Sequence, residues 1–469
     1  MAQLAELVAA LPDDLSPRVE GDAAIPVRAV TIDSRRVTPG ALFACLPGAH
    51  ADGHDFAAAA VAAGATSLLT QRQLPLAVAQ VVVEDSRRAI GWLSAAFHGQ
   101  PARAMTMAGI TGTNGKTTTA HLLGAILRHA GKQTAVLGTL SGTFTTPEAP
   151  ELQSELAGLR DDGTDAVVME VSSHALALGR VTGTHFAVAV FTNLGRDHLD
   201  FHHTEERYFA AKARLFTPEL STRGVVWVDD AHGRRLAATA SIPLTEVGFG
   251  EATDVVLGTS GSQFTWRGQH VELHLPGRHN VANALLAAAA AEALGVPPTT
   301  IAAGLAAALP VPGRVEAVDA GQPFSVLVDF AHTPEAMATL LDNLRELTSA
   351  RLIVVFGCGG DRDPDKRPLM GAAAAQRADV VIITSDNPRS EDPQAIVDAV
   401  LAGVGATPRA EVRSEVDRRA AIASAVGLAR RGDLVVIAGK GHETTQTTAG
   451  EVRPFDDRTV ARELLEARR

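Results

Sequence analysis

Cysteine is nearly absent: the 469-residue chain has two, Cys45 and Cys358, far apart and in no metal-ligand spacing. That excludes a disulfide scaffold and favours a reducing compartment. Long apolar runs are missing too. The longest, Ala284–Ala291, is alanine-rich and falls well short of the about 20 residues that span a bilayer, so no membrane span is expected. Met1–Ala10 lacks a basic region and is broken by Glu6, so no targeting segment is read and a cytosolic, cytoplasmic location is expected. Positive charge is in deficit, with 42 Lys+Arg against 53 Asp+Glu and a net charge of −11. A chain whose task is to neutralise nucleic-acid phosphates is thereby disfavoured, and no nucleic-acid partner is expected. Lysine is the scarcest cation: only Lys116, Lys132, Lys212, Lys366 and Lys440 occur, the other 37 cations being arginine. Where arginine serves the surface, each lysine marks a candidate position for a compact, titratable amine. Codon bias is the plain alternative.

What is present is an ordinary globular profile, 46% hydrophobic and 20% charged, long enough for two to four domains at roughly 100–200 residues each. Residues 1–100 read as a small mixed unit, with a strand at Ala77–Val83 and a helix at Asp55–Gly64. Pro101 marks a boundary. From Ala104 the pattern is strand, glycine-rich turn, helix, repeated through Ala166–Met169, Ala187–Phe191 and Val225–Val228, which implies a parallel sheet covered on both faces. Helices are expected at Asn280–Leu294 and Thr299–Leu309, before a break at Pro310, Pro312 and Gly313. A second α/β unit follows, with strands Val326–Val328, Leu352–Phe356, Val380–Thr384 and Leu434–Ala438. The expected organisation is therefore α/β in three domains, 1–100, 101–312 and 313–469. The last four strands run into Asp329-Phe-Ala-His332, Gly357-Cys-Gly-Gly-Asp361, Ser385-Asp-Asn-Pro-Arg389 and Gly439-Lys-Gly-His-Glu443. Open parallel sheets bind ligands at these strand ends, and four such loops exceed what turn chemistry alone requires.

Gly112-Thr-Asn-Gly-Lys-Thr-Thr118 follows a strand expected at Ala104–Ala108 and precedes a helix expected at His121–Ala130. Glycines turn backbone N–H groups toward phosphate oxygens, the helix N-terminus adds positive character, Lys116 reaches the terminal phosphates and Thr117 offers a hydroxyl to Mg2+. Glu170 ends a buried strand, where a carboxylate is costly unless paired; Mg2+ beside a phosphate loop is its natural partner, a salt-bridged core Glu the alternative. Asp197, His198 and Asp200 follow another strand, and His202 and His203 read as surface residues or as residues that support the site from behind. Lys212 lies in the helical Tyr208–Phe216 among apolar residues, where an ammonium has a depressed pKa; a helix lysine snorkelling to solvent is the plain alternative.

Asp33-Ser-Arg35, Gly112–Thr119, Thr145-Thr-Pro147, Glu170-Val-Ser-Ser-His174, Thr192–Asp200, Ala211-Lys212, Leu275-Pro-Gly-Arg-His-Asn280, Asp361-Arg-Asp363, Asp386-Asn-Pro-Arg389 and Gly439–Glu443 together resemble the Mur ligases, in order and over nearly the whole chain. The resemblance is to the members that add the third amino acid of the peptidoglycan peptide. It implies a uridine-nucleotide domain, a central ATPase domain with a P-loop-type parallel sheet, and a Rossmann-like domain for the amino acid. Ser34, Thr145, Thr146, Ser172 and Arg180 would hold UDP-N-acetylmuramoyl-L-alanyl-D-glutamate (UDP-MurNAc-L-Ala-D-Glu). Gly112, Thr113, Asn114, Gly115, Lys116, Thr117 and Thr118 would cradle ATP, with Asn280, Arg314 and Asp329 on the rest of the nucleotide. Thr117, Glu170, His198 and a carbamate on Lys212 would bind Mg2+.

The same resemblance assigns Arg362, Asp386, Asn387, Pro388, Arg389, Gly439 and Glu443 to the amino acid. Its Asp-Asn-Pro-Arg form resembles the meso-diaminopimelate version, since arginine pairs with that substrate's second carboxylate. Leu178 replaces a common Gln, Phe330 a frequent Tyr, and the Gly138–Thr146 loop is short, which keeps L-ornithine and L-lysine as alternatives. The implied chemistry is phosphorylation of the D-glutamyl carboxylate by ATP, then attack by the amine, with Lys116, His198, Lys212 and His332 in catalytic roles and hinge closure at Pro312–Gly313. The chain is expected to act as a monomer. The rivals are a folylpolyglutamate synthetase-like ligase, against which Asp33–Arg35 and Asp386–Arg389 speak, and a P-loop switch or scaffold that ligates nothing.

Overall fold

The computed structural model describes residues 2–48, 51–142, 144–405 and 408–468. Three sheets carry the chain. The first has five strands in the spatial order Arg18–Glu20, Ala79–Val82, Ala65–Thr70, Ala41–Ala44, Ala29–Thr31; all neighbours are parallel except the first pair. The second has six parallel strands in the order Leu244–Val247, Gly224–Trp227, Val188–Phe191, Thr106–Thr111, Ala166–Glu170, Thr134–Leu137. The third is parallel through Ser325–Asp329, Leu434–Ala438, Leu352–Phe356, Val380–Ile383 and Glu411–Ser414, with Glu316–Ala317 antiparallel on its edge.

Sequence periodicity explains these choices. Strands such as Leu352–Phe356 and Leu434–Ala438 are apolar at every position and buried throughout, as a sheet covered on both faces requires. Each fully buried Val, Leu or Ile contributes about 1.5–3 kcal/mol. The alanine-rich helix Arg278–Ala293 buries residues around its whole circumference between helix Lys116–His129 and a small antiparallel sheet carrying Phe264 and Trp266. Small side chains allow that close approach.

Two expected boundaries move. Pro101–Ala104 forms a 3-10 turn, and the strand read as Ala104–Ala108 runs Thr106–Thr111, because Gly109 and Thr111 continue the ladder with Val188–Phe191. The helix read from His121 begins at Lys116. The strand therefore feeds the helix through only four residues. In the central sheet, consecutive strands lie on either side of Thr106–Thr111, so the topological switch, where open sheets bind ligands, falls at the phosphate loop.

Candidate active site

At Gly112 the backbone leaves the strand with φ +150°, and a Cβ there would stand 1.8 Å from Thr192 Oγ1, so only glycine fits. Gly115 caps the helix at φ +86°, with Asn283 Oδ1 2.4 Å from where its Cβ would lie. The loop between them is tied to the next strand end: Thr113 N–H donates to Asn193 O (2.9 Å), Asn114 N–H to Asn193 Oδ1 (3.0 Å), and Thr192 Oγ1 to Asn114 O (2.6 Å). The first-turn N–H groups of the helix at Lys116 have no partner within it and face this loop.

Two of the five lysines converge here. Lys116 Nζ donates to Gly112 O (3.0 Å) and Thr113 O (2.9 Å), and Lys212 Nζ to the same Gly112 O (2.7 Å). Lys212 is 1% exposed and its Nζ lies 4.6 Å over the Tyr208 ring, so it does not snorkel. Burial, reinforced by the charge of Lys116, holds its pKa well below the ordinary lysine value; Lys116 is lowered as well, chiefly by burial. No carboxylate pairs with Lys212 among the described residues, so burial disfavours its charged form with only the charge of Asp197 opposing. Tyr208 OH also meets Thr113 Oγ1 at 3.1 Å.

Glu170 is 2% exposed at its strand end. Thr117 Oγ1 (3.0 Å), Thr139 N–H (2.9 Å) and Thr139 Oγ1 (3.3 Å) donate to its carboxylate, and no cationic side chain pairs with it among the described residues. A buried carboxylate with only neutral donors, adjoining a phosphate loop, has the chemistry of a Mg2+ ligand. Among the described residues no three His, Cys, Asp or Glu side chains assemble into a ready-made cage. Thr117 and Glu170 fit an ion completed by phosphate oxygens and water.

His198 is the residue before a one-turn helix, at φ +54°, with Nε2 3.4 Å from Asp197 Oδ2 and its ring 4.7 Å from that of His174. Partial burial and the two lysines lower its pKa, Asp197 opposing. His202 is on the supporting side of the two readings, not at the surface: it is buried, 5% exposed, with Nε2 3.0 Å from Ser173 Oγ, and burial pushes it down to about 4. His203 is exposed.

Four of the five residues assigned to the UDP substrate come together. Thr146 Oγ1 donates to Glu170 O (2.9 Å) and accepts from Ser172 N–H (3.1 Å); Arg180 Nη1 donates to Thr146 O (3.2 Å) and Nη2 meets Glu148 (2.6 Å); Thr145 Oγ1 lies 3.1 Å from Thr139 Oγ1. Ser34 sits on the first sheet's side, in a turn whose Arg36 reaches Glu151 at 3.1 Å.

In the third sheet, Asn387 Nδ2 donates to Glu443 Oε2 (2.6 Å), Thr447 N–H donates to Asn387 Oδ1 (2.9 Å), and Arg389, at φ +55°, donates from Nη1 to Gly360 O (2.6 Å). Pro388 O packs against Gly360, and Gly439 N–H donates to Asp329 O (3.1 Å). Asp386 is 8% exposed; burial raises its pKa, and Arg418 and Lys440 pull the other way. Arg362 stands apart, exposed on the loop that Asp361 pins to Ser390.

The two sites are joined by Arg314, whose guanidinium stacks 4.7 Å over Phe330 and donates to Thr117 Oγ1 (3.3 Å). Glu335 accepts from Arg196 N–H (2.5 Å) across the same gap. Asp329 uses one oxygen for Val315 N–H and the other for Ala331 N–H, both 2.8 Å, so it braces the linker. His332 is exposed, its Nδ1 2.8 Å from Phe330 O and its own carbonyl held by Lys366 Nζ at 3.0 Å. Asn280 is buried and bonded to Pro276 O (2.8 Å) and Asn283 (3.1 Å). Asn283, which sequence reasoning missed, is the residue that touches the loop. Its signal was the Asn-x-x-Asn spacing, one helical turn. Tyr208 was also missed, although it precedes Lys212 by four residues on one helix and is the chain's single tyrosine.

Comparison with known proteins bears on the whole chain. Residues 26–98, 110–291 and 313–441 match, in turn, the families described as "Mur ligase family, catalytic domain", "Mur ligase middle domain" and "Mur ligase, glutamate ligase domain". The chain is 46% identical to the UDP-N-acetylmuramoyl-L-alanyl-D-glutamate–2,6-diaminopimelate ligase of Streptomyces coelicolor, over 99% of this chain and 96% of that one. It is 44% identical to the ligase of the same name from Syntrophomonas wolfei, over 99% of both chains. A solved structure of a ligase of that name superposes with a TM-score of 0.71 at 32% identity, covering 100% of this chain and 99% of the other. No helix among the described residues is long and apolar enough to cross a membrane. In fold, in motif order and over its full length, the chain is a member of the Mur ligase family.

Proposed function

We propose that this ligase joins 2,6-diaminopimelate to the D-glutamyl carboxylate of UDP-N-acetylmuramoyl-L-alanyl-D-glutamate at the expense of ATP, in peptidoglycan precursor synthesis. The observation that carries the amino-acid choice is that one strand-end loop holds a buried carboxylate, Asp386, with no hydrogen-bond partner among the described residues, and an arginine, Arg389, whose only side-chain bond among them is to a carbonyl. An acid and a guanidinium on one loop suit an ammonium and a carboxylate on one carbon, the far head of diaminopimelate. L-Lysine and L-ornithine offer no carboxylate there. The three domains are taken as 1–100, 101–312 and 313–469, one for each substrate.

Direct condensation would expel hydroxide, a poor leaving group. In the proposed sequence a glutamyl carboxylate oxygen attacks the γ-phosphorus, the bond to the β-bridging oxygen breaks and ADP leaves. Lys116 and the helix N-terminus offset the negative charge that gathers on the transferred phosphoryl group. The neutral amine of the third residue then attacks the acyl carbon, a proton is lost from nitrogen, and the carbon–oxygen bond to phosphate breaks. Thr117, Glu170 and His198 would hold Mg2+, which when bound screens phosphate charge. Lys212, whose ammonium form burial disfavours, is suited to take up CO2 as a carbamate, which would add an anion to that ligand set. His332, near Phe330 and Arg314, would orient the phosphoryl group. Asn280, Arg314 and Asp329 would contact the rest of the nucleotide, and Ser34, Thr145, Thr146, Ser172 and Arg180 would hold the UDP substrate.

Purified protein incubated with ATP, the UDP-dipeptide and each amino acid in turn tests this. ADP and UDP-tripeptide with diaminopimelate are expected. Product with only lysine or ornithine would move the specificity, and nucleotide binding without any UDP-tripeptide would leave the switch or scaffold reading.

A further inference from the structure

Lys440 lies at the heart of the amino-acid pocket yet has no role in the chemistry above. It is one of five lysines among 42 cations, and its side chain is 0% exposed. Its Nζ donates to Thr445 O (2.6 Å) and to Glu443 Oε2 (3.2 Å). Glu443 Oε2 also takes Asn387 Nδ2, so both protein donors converge on one oxygen. No protein donor reaches Oε1 among the described residues, which leaves that oxygen to face a ligand.

The charge balance gives this arrangement its consequence. Beneath the pocket Arg418 and Asp457 form a bidentate pair, both 0% exposed, and cancel. With the exposed Arg362 standing apart, the charged side chains around the pocket are two acids, Asp386 and Glu443, and two cations, Arg389 and Lys440, so their formal charges balance. A neutral pocket suits a zwitterionic head, one ammonium with one carboxylate. Removing the charge of Lys440 leaves a net negative pocket, which favours a side chain ending in an ammonium alone. We propose that Lys440 is a positioning and specificity-determining residue: it orients Glu443 and, by neutralising it, lets the pocket accept an amino acid whose distal end bears a carboxylate. This rests on the assignment of the pocket to the third amino acid.

The test compares kcat/KM for meso-diaminopimelate with that for L-lysine in wild type, K440R, K440Q and K440M. Each ratio is taken on one preparation, so the folded fraction cancels. K440Q keeps a hydrogen-bond donor without the charge, and K440R keeps the charge. The ratio is expected to fall about tenfold or more in K440Q and K440M through KM for diaminopimelate, with KM for ATP unmoved, and to hold within a few-fold in K440R. An unchanged ratio in the uncharged variants, or an equal fall in K440R, overturns the proposal. So does a K440Q and K440M pair that cannot fold while K440R does, since that makes Lys440 a structural ion. Failure of wild type to use diaminopimelate at all would instead overturn the pocket assignment.

Discussion

Arg418 and Asp457, under the proposed amino-acid pocket, are buried as completely as Lys212 and Glu170, beside the phosphate loop. Only the first two meet each other. Arg418 grips Asp457 at 2.7 and 2.8 Å, and its remaining N–H groups donate to Ser385 O and Ala438 O at 3.1 and 3.0 Å. Those carbonyls immediately precede Asp386 and Gly439, so the pair locks together the two strand ends that form the pocket. In the central sheet Lys212 donates to a backbone carbonyl, and among the described residues Glu170 accepts only from threonines. Buried charge that is fully partnered within the protein holds shape; buried charge left with neutral partners is poised for a ligand.

The largest effects should come from breaking the poised side. Lys116→Ala is expected to lower kcat by about a hundredfold to a thousandfold while thermal unfolding stays near wild type; a large fall in melting temperature would place Lys116 among the structural ions. On the partnered side the outcome should invert. Arg418→Met strands Asp457 and should cost about 3–5 kcal/mol of stability in denaturant unfolding, and the double variant Arg418→Met with Asp457→Leu should recover most of it. A double variant no better than the single would mean that the carbonyl bonds of Arg418, not its ion pair, hold the strand ends.

Arg389→Ala sharpens the contrast within the third sheet, because Arg389, unlike Arg418, has no acid partner among the described residues. Its Michaelis constant for diaminopimelate should rise about tenfold or more, with that for ATP little changed; equal rises would count against the pocket. The smallest effect concerns pH. His202 and His279 are held neutral by burial, each down to about 4 from 6.5. The unfolded chain therefore takes up protons first, so their contribution is complete above about pH 6.5 and is lost as pH falls through about 4. Melting temperature measured between those values should drop, and His202→Gln should flatten part of the slope.

Much of this was legible in the residues. Apolar runs marked the buried parallel strands because both faces of such a strand are covered, and Gly112–Thr118 announced itself through its position between strand and helix. Lys212 stood out as a rare lysine among apolar neighbours. The strand and helix around the loop were misplaced because glycine and threonine, read as turn residues, continue the sheet, and because the helix starts on Lys116 itself. For His202 the run of polar residues left exposure and a supporting role equally open, and one helical turn swings it beneath His174 and Tyr208. Arg418 was invisible: it reads as one arginine among 37, and its partner lies 39 residues away. Pairings at that distance are set by tertiary packing, which local pattern does not encode.

The central claim is that the cleft turns a glutamyl carboxylate into an acyl phosphate before the amine arrives. Supplying UDP-dipeptide with oxygen-18 in that carboxylate and collecting the orthophosphate released during turnover examines it directly. One labelled oxygen per phosphate is expected. Unlabelled phosphate, released while UDP-tripeptide accumulates normally, would contradict it.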